Sequence, residues 1–192
     1  MVTVAITGGI GAGKSVVSRI LRAMGHEVYD CDSEAKRLMD SSATIKRRLA
    51  GEIHRDTITP DGEIDRKALA AIVFSDAAKL KALNAIVHGS VRDDIAARIA
   101  GSRENIFFFE TAILYQSGLD RMADRVWEVT APDEVRIYRV MKRNSCAAGE
   151  VAGRIASQQF IPGKPHPRID IITNDDVTPV LPRIVSLLET LA

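Results

Sequence analysis

The chain has 192 residues, 26 Lys+Arg against 25 Asp+Glu, 46% hydrophobic residues and two cysteines. That length supports one globular domain with small elaborations, and the composition excludes general disorder. Two cysteines supply neither a metal cluster nor a disulfide framework, no apolar run approaches membrane-spanning length, and a formal net charge of +1 gives no global reason to expect a nucleic-acid binder.

The N-terminal MVTVAITGG lacks the basic start and apolar stretch of a signal peptide, so a cytoplasmic protein is expected. Val2 to Thr7 is short, apolar and β-branched and ends in glycines. A helix pattern follows from Ser15 to Met24, stopped by Gly25. A second strand is expected over His26 to Tyr29, closed by Asp30-Cys31-Asp32. Strand, glycine loop, helix and strand in that order open an α/β domain with a parallel sheet. Ser33 to about Arg98 reads as helical, broken around Thr59-Pro60-Asp61-Gly62. Leu80, Leu83, Val87 and Val91 form an apolar stripe there. Consecutive apolar runs predict further buried strands at Ile106 to Phe109, Val126 to Val129 and Ile169 to Thr173, five in all. A helical region over Asp133 to Gln159 is interrupted at 145–149, and Pro162, Pro165 and Pro167 break it before the last strand. The tail, Thr178 to Leu191, places Val180, Leu181, Ile184, Leu187 and Leu188 on one helical face.

Gly8 to Ser15 fits the phosphate-binding pattern G-x-x-x-x-G-K-S, with a predicted strand leading in and a predicted helix leading out. Glycine lets the main chain approach an anion, and successive amides at a helix start cradle phosphates. Lys14 is placed to reach the terminal phosphates and Ser15 to coordinate Mg²⁺. Beyond the second strand, Asp30 and Asp32 stand where ligands gather in open parallel sheets. A hydroxyl acceptor needs a carboxylate beside it to take its proton. Asp32 is the preferred base and Asp30 its support, although the two roles are interchangeable at this level and Asp also favours turns. Glu110, ending the third strand, suits orientation of metal-bound water or contact with the acceptor; a plain strand-end charge is the competing reading.

The small net charge conceals a concentration: Arg136 to Arg168 holds seven Lys/Arg and one Asp/Glu. Arg136, Arg139 and Arg143 fall at helical spacing, with Arg154 further along. Arginines stabilise the charge that develops on a moving phosphoryl group, and Arg139 and Arg143 are expected near the phosphates. Asn174 follows the last strand, where it suits either nucleotide contact or helix capping.

These motifs resemble those of the dephospho-CoA kinase family. TGGIGAGKS is followed by YDCD, then DGEIDRKAL at Asp61 to Leu69, Phe74, and LNAIVH at Leu83 to His88. RVMKR spans Arg139 to Arg143, RIASQ spans Arg154 to Gln158, and IDIITN runs from Ile169 to Asn174. The resemblance implies a phosphate-loop nucleoside triphosphate hydrolase fold with a five-stranded parallel sheet. Its nucleotide-binding core would comprise 1–37, 101–140 and 168–192, with a helical acceptor region at 38–100 and a lid at 141–167. It implies transfer of the ATP γ-phosphate to the ribose 3′-hydroxyl of dephospho-CoA, with Mg²⁺, in a protein expected as a monomer and needing neither nucleic acid nor membrane. Weak self-association stays open.

By the same resemblance Asp32 is the base, and Gly11, Ala12, Gly13, Lys14, Ser15 and Val16 surround the phosphates. Asp65, His88 and Arg92 resemble acceptor-side or domain-interface residues and join Asp30, Asp32 and Glu110 as expected acceptor contacts, while Arg139 and Arg143 serve the lid. The chain departs from the family at Gly89, Gln116, Arg136 and Val16, which puts acceptor-side details in question. A kinase of another nucleoside or nucleotide and a non-enzymatic nucleotide switch are the competing functions.

Overall fold

A computed structural model describes residues 1–158 and 165–191. Gln159 and Pro162 of the sequence reading lie outside these residues. The elements in chain order are β1 (Val2–Thr7), α1 (Lys14–Ala23), β2 (Val28–Asp30), α2 (Cys31–Ser41), α3 (Ala43–Arg48), α4 (Arg66–Ser75) and α5 (Ala77–Gly101). They continue with β3 (Ile106–Glu110), β4 (Arg125–Thr130), α6 (Asp133–Asn144), α7 (Ala148–Gln158), β5 (Ile169–Thr173) and α8 (Val180–Glu189). The chain divides into two compact units, one of Met1–Tyr29 with Arg103–Ala192 and one of Asp30–Ser102.

The first unit is built on the expected five-stranded parallel sheet, in the order β2-β3-β1-β4-β5. β1 pairs with β3 through Val2↔Ile106 to Ile6↔Glu110 and with β4 through Val4↔Arg125 to Thr7↔Glu128. β4 pairs with β5 from Val126↔Ile169 to Thr130↔Thr173. Consecutive residues of β1 are buried, as a strand covered on both faces requires. Val4, Ile6, Phe108, Trp127 and Ile172 pack with Val17 and Leu21 of α1 and Ile184 and Leu187 of α8. The rings of Phe108 and Trp127 meet at 5.4 Å between centroids. Trp127 is fully buried, and truncating such a ring costs about 3–5 kcal/mol.

β2 lies two residues later than its hydrophobicity suggests at the amino end, starting at Val28 and closing on Asp30. The preceding turn explains the shift: His26 donates its amide to Leu21 O at 3.0 Å, which holds it in the α1 C-terminal turn.

The second unit is helical, as expected from Ser33 onward. Its core joins Ile45, Leu49, Leu69, Val73 and Ile86, with Leu80 and Leu83 packed against it. Its fully buried positions on α5 are Ile86, Val91 and Ile95, so the buried line drifts from the expected Leu80-Leu83-Val87-Val91 stripe. Around Thr59-Pro60-Asp61-Gly62 the chain makes a tight turn, closed by an antiparallel bridge of Ile58 with Ile64.

Candidate active site

Between β1 and α1 the phosphate loop bends through positive φ at Gly8 (144°), Gly11 (78°) and Gly13 (99°). None of these glycines has an alternative, and two show it most sharply. A Cβ on Gly8 would stand 2.2 Å from Val129 O, and one on Gly13 would stand 1.9 Å from Asn174 Nδ2. Main chain thus approaches neighbouring elements more closely than any side chain would permit.

Three of the loop's carbonyls face outward onto donors. Ile10 O accepts from Arg136 Nε at 3.0 Å, Gly11 O from Arg139 Nη1 at 3.2 Å, and Ala12 O from Asn174 Nδ2 at 2.9 Å. With carbonyls turned out, the amides of Gly11, Gly13 and Ser15 are left with no protein partner among the described residues. That is the donor array an anion nest requires. Lys14 Nζ folds back over the loop and donates to Gly8 O at 2.9 Å. The Ile10 amide points elsewhere, to Gln158 Oε1 of α7 at 2.7 Å.

Arg139 also donates to Asn174 Oδ1 at 3.4 Å and pairs closely with Asp176. Asn174, a candidate nucleotide contact, is buried and spends its amide bridging the loop to Arg139. Arg143, expected beside Arg139, is exposed and donates to its neighbour Asn144 at 3.1 Å. Hence Arg136 and Arg139 reach the loop while Arg143 does not.

Glu110 closes β3 opposite Ile6 of β1, and its Oε2 accepts from the buried Ser18 hydroxyl at 2.6 Å. Ser15 is exposed in the first turn of α1. Among the described residues there is no cluster of three His, Cys, Asp or Glu side chains suited to a metal. Mg²⁺ needs none, since it keeps several waters and takes one or two hard protein oxygens plus phosphates. A Ser15 hydroxyl and a Glu110 carboxylate are donors of that kind.

The remaining candidates lie in the second unit. Asp30 caps α2: its Oδ1 accepts from the amides of Asp32 (3.0 Å) and Ser33 (3.1 Å), and its Oδ2 from the Ser33 hydroxyl (3.0 Å). Asp32, two residues on, is exposed, and its carboxylate makes no hydrogen bond or ion pair among the described residues. The two carboxylates are therefore not equivalent: one is committed to the helix terminus and the other is open. Asp65 is likewise a cap, accepting from Ala68 N at 2.8 Å at the start of α4. His88 and Arg92 stand one turn apart on α5, both half-buried. Burial, and then the neighbouring Arg92 charge, holds the His88 imidazole below its ordinary pKa.

Three participants had no site role in the sequence reading. Ser18 falls four residues after Lys14 on α1, and Gln158 closes the RIASQ block. Arg136 is visible in the sequence as the first basic residue of a helical series and as a departure from the family, neither of which assigns it a site role.

The dephospho-CoA kinase family profile matches residues 2–179. A dephospho-CoA kinase of Porphyromonas gingivalis is 37% identical over 191 residues, covering 99% of this chain and 94% of that protein. The solved structure of TT1252 from Thermus thermophilus superposes with a TM-score of 0.74 at 30% identity, covering 99% and 95% of the two chains. A dephospho-CoA kinase from Campylobacter jejuni shares the fold, with a TM-score of 0.68 at 23% identity and coverage of 98% and 96%.

Proposed function

The chain belongs to the dephospho-CoA kinase family, and from that premise we propose how its own residues divide the work of moving the γ-phosphate of ATP to the ribose 3′-hydroxyl of dephospho-CoA. The observation that carries this reading is the braced loop, in which the carbonyls of Ile10, Gly11 and Ala12 are engaged by side chains of other elements while the Gly11, Gly13 and Ser15 amides stay open among the described residues. Those amides bind the donor phosphates, and Lys14 leaves Gly8 O for the terminal phosphates. Ser15, and Glu110 through water, would hold Mg²⁺, which would neutralise phosphate charge. Arg139 gives up its contact with Asp176 to stabilise the equatorial oxygens of the group in transfer.

Asp32 takes the proton of the acceptor hydroxyl. Asp30 supports it indirectly, by holding the first turn of α2 that presents it. Acceptor recognition belongs to the helical region 38–100, with Asp65, His88 and Arg92, and a lid over 141–167 excludes water from the transfer. Arg143, exposed on α6, serves the lid once nucleotide is bound. The enzyme acts in the cytoplasm, as a monomer on a small-molecule acceptor.

The test is ATP-dependent conversion of dephospho-CoA to CoA, followed by mass. Asp32→Asn should lower turnover by about a hundredfold or more, the range of a lost general base, with ATP affinity little changed. Folded protein that makes no CoA would overturn the activity; undiminished turnover in Asp32→Asn would overturn the base.

A further inference from the structure

Arg136 touches three successive residues of the phosphate loop. Its Nε donates to Ile10 O at 3.0 Å. Its Nη2 lies where a Cβ on Gly9 would come within 2.2 Å, and its own carbonyl lies where a Cβ on Gly11 would come within 2.6 Å. The side chain is only 12% exposed, and its outer edge is fixed by Asp133 at 2.8 Å. A guanidinium so fully held costs little further ordering when a ligand arrives. By accepting at its carbonyl, the Ile10–Gly11 peptide is locked with its amide turned the other way, into the set left open for phosphate. Hydrogen bonding of that carbonyl to a cation also polarises the same peptide unit, making its N–H a better donor.

We propose that Arg136 is a positioning residue for the phosphate donor: it preorganises the loop for a polyphosphate without contacting it. This rests on the reading of the loop as the donor site. Its partner Asp133 is 56% exposed and anchors the guanidinium without adding to the loop itself.

The experiment measures ATP and inorganic triphosphate binding by calorimetry for wild type, Arg136→Met, Arg136→Lys and Asp133→Asn, together with steady-state constants and urea midpoints. Loss of a charge-assisted bond predicts about tenfold weaker binding of both ligands to Arg136→Met. The KM for ATP should rise in parallel while the KM for dephospho-CoA stays within about twofold of wild type. Arg136→Lys should recover most of the affinity, and Asp133→Asn should lose little. Unchanged triphosphate affinity in a folded Arg136→Met would overturn the proposal. So would equal losses for both substrates that track the urea midpoint, since these describe a purely structural arginine. If wild type itself bound neither ligand, the reading of the loop would fall first.

Discussion

Asp30 and Asp32 show what one residue's surroundings decide. In the sequence they are two carboxylates flanking Cys31, with Asp32 preferred as the base and an exchange of roles left open. Folding breaks the symmetry, because a helix beginning at Cys31 needs acceptors for its first amides and Asp30 alone is in register to supply them. Asp32, inside the first turn, keeps an uncommitted carboxylate. Asp30→Ala should destabilise the protein by about 1 kcal/mol, the usual cost of a lost N-cap, and lower turnover by disordering α2. Asp30→Asn, which caps equally well, should restore both the urea midpoint and most of the turnover. An Asp30→Asn enzyme as inactive as Asp32→Asn would show that the base had been assigned to the wrong carboxylate.

Among the elements, α6 repeats the lesson at larger scale. Helical spacing made Arg136, Arg139 and Arg143 a plausible row, yet spacing does not say where the row meets the rest of the protein. Four residues advance a helix by about 6 Å. The loop is met at Arg136 and Arg139, and Arg143 lies one turn past it. Strand runs, the loop motif and the closing α8 were readable because their signals are local: apolar periodicity, glycines and caps. The turn that delays β2 is equally local, closed by the His26 amide on Leu21 O, but the buried line of α5 depends on contacts with other elements, which no local window contains. The braces on the loop were hidden for the same reason, since Gln158 and Asn174 are distant in the chain from the carbonyls and amides they hold. Arg139→Ala should therefore weaken ATP binding and lower kcat by about a hundredfold, the order expected when a charged stabiliser of transfer is lost. Arg143→Ala should leave ATP affinity nearly unchanged and reduce only kcat. Equal losses of ATP affinity in the two variants would contradict their different placement.

For the molecule as a whole, the near-zero net charge hides a division of labour in which basic side chains gather after β4. Of the seven Lys/Arg between Arg136 and Arg168, Arg136 and Arg139 are committed to the loop, while Lys142, Arg143 and Arg154 are exposed. Stability against acid is governed elsewhere, by two kinds of group at different pH. His88 has its pKa lowered by burial and by Arg92. Between that lowered value and its ordinary 6.5, the unfolded chain binds the proton that the folded one refuses, so stability falls as pH falls. Asp124 is held low chiefly by the Thr3 amide, which donates to its carboxylate at 2.8 Å and ties the start of β1 to the turn before β4. Asp175 is held low by the amides of Thr178 and Val177. Both contributions are complete above the ordinary carboxylate value of 3.8 and are lost as pH drops through the lowered ones. Urea midpoints measured from pH 8 to pH 3 should thus decline in two limbs, a first below about 6.5 and a second below about 4, the ordinary imidazole and carboxylate ranges. His88→Gln should flatten the first limb and leave the second. Asp124→Asn should lower the midpoint at neutral pH and shrink the second limb, with Asp175 and Glu52, the latter held low by the Arg48 guanidinium, retaining the remainder. A first limb that survives intact in His88→Gln would place the sensitive group elsewhere and remove His88 from the account.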